Sequence, residues 1–92
     1  MKLYRISTED KPYLAELAGN YFESFYITKG EGYWMGQREN GATIDILAAD
    51  SREAWDRVSM LARDIKTHGW TLGEPEQEVV YITVTDVVLT VI

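Results

Sequence analysis

Cysteine is absent from this sequence, histidine occurs once, at His68, and proline twice, at Pro12 and Pro75. Without cysteine there is no disulfide framework, no thiol nucleophile and no thiolate zinc site, and a single imidazole excludes paired-histidine metal motifs. Basic residues are few: nine Lys and Arg against fifteen Asp and Glu leave a formal charge of −6. A phosphate backbone would meet net repulsion, so direct binding of nucleic acid is disfavoured. No apolar run is long enough to cross a bilayer, and Met1 and Lys2 lead into a polar stretch without the apolar core of a secretion signal. We therefore expect no membrane partner and a cytoplasmic location. No segment repeats or is low in complexity. What remains is 92 residues, 46% of them hydrophobic, the size of one domain spanning residues 1–92.

The clearest local signal is a helix between Asp50 and Gly69. Ala54, Val58, Leu61, Ala62 and Ile65 recur at helical spacing and line one side. Asp50 or Ser51 starts it, Asp50 and Glu53 are spaced like a capping box, and Gly69 suits the left-handed closing position. The opposite side carries Arg52, Glu53, Asp56, Arg57, Arg63 and Asp64 and reads as a solvated face with a favourable Glu53–Arg57 pair.

The segments 21–28, 33–38 and 42–47 are short, rich in aromatic and β-branched residues, and separated by glycine-bearing turns. They predict a three-strand meander. Asn40-Gly41 is the strongest hairpin dipeptide, because both central positions of a type I′ turn need positive φ. A turn there opposes Met35 to Ile46, Gln37 to Ile44 and Trp34 to Leu47. The preceding turn, through Lys29-Gly30-Glu31-Gly32, is open in register. Lys2–Ile6 and Glu78–Thr85 read as further strands, the latter with Val80, Ile82 and Val84 on one side. Val87–Ile92 adds a possible last strand, and Pro12–Gly19 a short helix. The expected fold is α+β: an antiparallel sheet of about four to six strands with one long helix, and a short N-terminal one, on a single face.

Candidate sites are few, and none is catalytic or metal-binding. Gly30, Gly32 and Gly36 lack the spacing and the following helix of a dinucleotide fingerprint. His68 suits the negative end of the helix macrodipole and needs no substrate to explain it. Glu31, Glu39 and Asp45 do not make an acid–base set, since solvated turn carboxylates keep ordinary acidity. Glu74, Glu76 and Glu78 form an acidic patch without the spacing of a calcium loop, suited instead to a basic protein partner. No cofactor is implied.

The most informative feature is aromatic. Tyr33 and Trp34 point to opposite faces of one strand, and one long helix cannot cover both. By the Asn40-Gly41 register Trp34 shares a face with Arg38, Asp45 and Leu47, an apolar patch rimmed by charge. The bland alternative is that Pro12–Gly19 folds over this face and completes a core. The apolar run Val87–Ile92 raises a similar question: a terminal strand without charge or proline needs a cover, either inside its own sheet or by pairing with a second copy or another protein.

The stretch Phe25–Glu39, with its Gly-Tyr-Trp-x-Gly hairpin, and the helical Ala62–Lys66 resemble small acidic phage-encoded proteins, some of which inhibit bacterial defence systems. The resemblance covers about the middle half of the chain and implies a binder that occupies a surface or sequesters a ligand. Together these readings predict a non-enzymatic, self-associating protein-interaction module using Tyr33, Trp34, Arg38, Asp45 and Leu47. The alternative is a small-molecule or nucleotide binder in which Trp34 or Tyr33 stacks a ring and Arg38 holds an anion.

Overall fold

Four isoleucines, Ile27, Ile44, Ile6 and Ile82, lie side by side across the sheet in the computed structural model, which describes residues 1–92. They belong to β2 (Tyr26–Trp34), β3 (Gln37–Ala48), β1 (Lys2–Glu9) and β4 (Tyr81–Asp86), which are antiparallel and run in the order β2-β3-β1-β4. Flanking this row, Tyr4, Ala42 and Ile46 point to the same face, as the two-residue period of a strand requires. On that face pack α1 (Leu14–Gly19), through Leu14, Leu17 and Ala18, and α2 (Arg52–Thr67), through Ala54, Val58, Leu61, Ala62 and Ile65. Each buried Ile or Leu in this cluster stabilises the fold by roughly 1.5–3 kcal/mol relative to an exposed one. The architecture is the expected α+β one, with both helices on a single face.

Helix α2 has the buried stripe read from its periodicity. Ser51 is its N-cap, its hydroxyl accepting from the Ala54 amide at 3.1 Å, so the Asp50–Glu53 capping box does not form. The helix also runs past the expected stop. It tightens into a 3₁₀ turn, His68–Leu72, that closes at Gly73, whose φ is 73°. Gly69 is needed for closeness instead: a Cβ there would stand 2.8 Å from the Pro75 carbonyl oxygen. His68 lies against Tyr13, ring centroids 4.3 Å apart. Asp64, read as solvated, accepts a hydrogen bond from the Tyr21 hydroxyl.

The expected meander is replaced by one long hairpin. Its turn is Met35-Gly36, with φ of 50° and 78°, while Asn40-Gly41 and Lys29–Gly32 lie inside β3 and β2. Trp34 therefore opposes Gln37, and Leu47 opposes Leu3 of β1. The physical reason is burial. A turn at Asn40-Gly41 would set Gln37 against Ile44, whereas the observed register sets Ile27 against it and completes the isoleucine row. Two further expectations fail: no strand forms at Val87–Ile92, and β4 starts at Tyr81 rather than Glu78.

Candidate functional site

Beyond Gly41 and the adjacent Asn40, which accepts from the Asp10 amide at 2.9 Å, the β2–β3 hairpin has no β1 neighbour and projects as an arm. On the sheet face opposite the helices its cross-strand pairs are Gly30 with Gly41, Gly32 with Glu39, and Trp34 with Gln37. The absent side chains leave a depression there. A Cβ at Gly41 would make only ordinary contacts, the nearest 3.6 Å away, with the Thr8 carbonyl.

Trp34 lies on this face beyond Gly32, at the tip of the arm. Its indole Nε1 donates to Glu78 Oε2 at 3.0 Å, joining the arm to the loop between the 3₁₀ turn and β4. Arm, loop and the end of β1 enclose a cleft of about 1040 Å³ whose lining includes Ser7, Gly32, Trp34, Gly41, Gln77 and Tyr81. Ligand clefts commonly measure roughly 300–1,000 Å³. Five carboxylates, Glu9, Glu39, Glu74, Glu76 and Glu78, line it against one ammonium, Lys11. Lys11 lies 3.6 Å from Glu9 and 4.0 Å from Glu74, so Glu39, Glu76 and Glu78 have no cationic partner. The acidic patch read from the sequence thus becomes one wall of a cleft.

The other candidate residues do not converge on this point. Asp45 and Leu47 share the open face with Trp34, but ten residues separate Leu47 from Gln37, roughly 30 Å along a strand. Arg38 points to the other face, opposite Tyr33, and its guanidinium is held by Glu31 at 2.5 Å. The pairing of Trp34 with Arg38 in one ligand grip is therefore not formed, and an anion approaching Arg38 would have to displace a carboxylate. Asp45 is engaged by Arg5 through two hydrogen bonds of 2.7 and 2.9 Å. Those bonds hold its carboxyl below the usual carboxylate range despite partial desolvation, which removes it further from acid–base use near neutrality.

Neither helix covers the open face. Its apolar and aromatic members are Leu3 and Leu47 at one end, then Tyr26, Tyr81 and Trp34, with Tyr26 77% and Leu47 49% exposed. The segment Pro12–Gly19 packs on the opposite side, with the core, so it does not shelter Trp34. Edge strand β4 is uncharged from Tyr81 to Thr85, and the exposed Val88 and Val91 follow it. At its end Asp86 is hydrogen-bonded by Lys2, which raises the lysine and lowers the carboxyl.

Sequence reasoning missed Tyr26, Gln77 and Tyr81. Tyr81 was within reach, because placing Val80 and Ile82 on the core side puts it on the other. Gln77 carries no local signal, since its hydrogen-bond partners, Thr8 and Glu9, come from the other end of the chain. No group of three or more acidic or imidazole side chains is arranged to hold a metal, and no helix is long and apolar enough to cross a membrane. No protein-family model matches the chain, and a search of curated proteins finds no match.

Proposed function

We propose that this protein is a non-enzymatic interaction module that self-associates through β4 and presents the open face of its sheet for binding. The observation that carries the reading is one-sided cover: both helices pack against one face, leaving the aromatic face and the β4 edge unprotected. Natural monomers blunt such an edge with charge, proline or a covering element. The Tyr81–Thr85 edge has none of these. Pairing of β4 with β4 of a second copy about a two-fold axis would satisfy both edges and join two sheets into one. Charge favours the same place, because in a chain of net charge −6 the uncharged edge is where two copies meet with least repulsion. A binder that works by occupying a surface also suits the resemblance to small acidic phage proteins.

Sedimentation velocity over a concentration series tests this directly. A dimer is expected for the native chain and a monomer for the double variant Thr83→Lys/Thr85→Lys, which places like charges on the two edges. A native chain that stays monomeric at high concentration, or a double variant that still dimerises, defeats the self-association reading.

A further inference from the structure

Edge strand β4 leads directly into Val87–Ile92, and the two segments have complementary needs. β4 presents an unpaired edge, free of charge from Tyr81 to Thr85. Val87–Ile92 is made of Val, Leu, Thr and Ile, which favour strands, yet it is outside the sheet, with Val88 97% and Val91 85% exposed. The helix face is also unfinished at this edge: Val84, opposite the buried Tyr4, remains 43% exposed.

Hydrogen-bond parity decides what fits against this edge. The Val87 amide donates to the Met1 carbonyl at 3.3 Å, and β4 pairs with β1 as Thr85–Leu3, Thr83–Arg5 and Tyr81–Ser7. Along an antiparallel strand, residues alternately exchange both bonds with one neighbour and turn their groups to the other side. The odd-numbered residues therefore bond to β1, while Ile82, Val84 and Asp86 turn N–H and C=O to the free edge. Extended further, the strand turns out the same groups of Val88, Thr90 and Ile92. Two copies related by a two-fold axis normal to the sheet pair residue i with j and j with i, and the outward groups meet only when even faces even. Centred on Thr83, β4 against β4 matches Ile82 with Val84 alone, about four hydrogen bonds. Centred on Val87, Ile82 meets Ile92, Val84 meets Thr90 and Asp86 meets Val88, about twelve hydrogen bonds, more than any other centre along 81–92 provides. That register opposes no two charges, whereas centring on Asp86 would set one carboxylate against the other. It also sets Ile92 of the second copy beside Ile82, continuing the row of Ile27, Ile44, Ile6 and Ile82. We infer that Val87–Ile92 is the occupant of the β4 edge: in a dimer this segment of each copy lies antiparallel against β4 of the other, with Ile92 opposite Ile82. This occupancy rests on the reading that two copies join at β4 and names the segment that the second copy lays against it.

The absence of cysteine makes the register readable by single substitutions in the full chain. Val87→Cys, Thr83→Cys and Val91→Cys are each oxidised with glutathione disulfide, and covalent dimer is followed by non-reducing electrophoresis. In the inferred register Val87 faces its own counterpart as a non-hydrogen-bonded pair, Cα atoms about 4.5 Å apart, within the span of a disulfide. Thr83 faces Val91 of the second copy, so each of these two lies roughly 26 Å from its own counterpart. Val87→Cys should cross-link about ten-fold faster or more than either other variant alone, and a mixture of Thr83→Cys with Val91→Cys should cross-link as a heterodimer. Random collision would instead favour the more exposed Val91. Thr90→Pro removes an amide that turns to the partner and makes no bond within the fold, and should weaken the dimer about ten-fold or more in sedimentation velocity. Val91→Pro, whose amide turns away from the partner, should weaken it less than about three-fold. Cross-linking of Thr83→Cys in place of Val87→Cys would leave self-association through β4 standing and overturn the role of Val87–Ile92. Cross-linking of Val91→Cys alone as fast as Val87→Cys, or equal effects of the two prolines, would overturn it as well. A native chain that stays monomeric, with no variant cross-linking, overturns both readings.

Discussion

Two glycines on the same strand pair separate the observed hairpin from its most obvious rival. Gly36 occupies the turn with φ of 78°, a conformation that costs an L-residue about 1–2 kcal/mol. Gly41 sits inside β3 with negative φ, and a methyl there would meet nothing closer than 3.6 Å. Gly36→Ala should therefore destabilise by about 1–2 kcal/mol. Gly41→Ala should be neutral or stabilising by up to ~1 kcal/mol, because alanine loses less backbone freedom on entering a strand. Met35, with φ of 50° and 86% exposure, completes the set: Met35→Asn exchanges a strained residue for one that tolerates the left-handed region, with little packing to lose, and should stabilise by a few tenths to ~1 kcal/mol. In a domain of this size each kcal/mol moves Tm by about 4–8 °C. Thermal unfolding followed by circular dichroism should thus separate Gly36→Ala from Gly41→Ala by roughly 4 °C or more. If the chain turned at Asn40-Gly41, the order would invert: Gly41→Ala would be the damaging change and Gly36→Ala the tolerated one. That inversion would refute the register and with it the cleft, which exists only because Trp34 lies at the arm's tip.

Gly69→Ala should lose about 1–3 kcal/mol in urea unfolding, since its Cβ would press on the Pro75 carbonyl at 2.8 Å and backbone yields poorly. Stability should also fall at both ends of the pH scale. Asp45 titrates below its unfolded value because Arg5 hydrogen-bonds the carboxylate, so its contribution is present above about pH 4 and disappears as pH drops through the folded value; Asp45→Asn should flatten that acid limb of a stability–pH curve. Tyr21 titrates above its unfolded value because its hydroxyl donates to Asp64, so its contribution holds below about pH 10 and is lost as pH rises through the folded value; Tyr21→Phe should reduce the dependence on the alkaline side, leaving the part due to Lys2.

The candidate site was half legible in the chain. Glu74, Glu76 and Glu78 are neighbours in sequence, so their common charge needs no fold to be seen. The importance of Trp34 follows from strand alternation and the shortage of helices to cover it. What could not be read is that these two features touch. The Trp34–Glu78 bond joins residues far apart in the chain, and whether they meet depends on where the hairpin turns and how far its arm projects. The same dependence misplaced Arg38, which a turn at Asn40-Gly41 would have set on the same face as Trp34.

Local interactions explain what the sequence by itself determined: the buried stripe of α2, the α+β class, and the excess of aromatic surface over the helices available to bury it. Helical contacts reach three or four positions along the chain, so a short window contains all the partners that matter. The tertiary structure alone decided the turn at Met35-Gly36, the fate of Gly69 and the exclusion of 87–92 from the sheet. Those outcomes belong to the row of Ile27, Ile44, Ile6 and Ile82. Burial of that row links four distant segments, and it outweighs the preference of any single dipeptide for a turn.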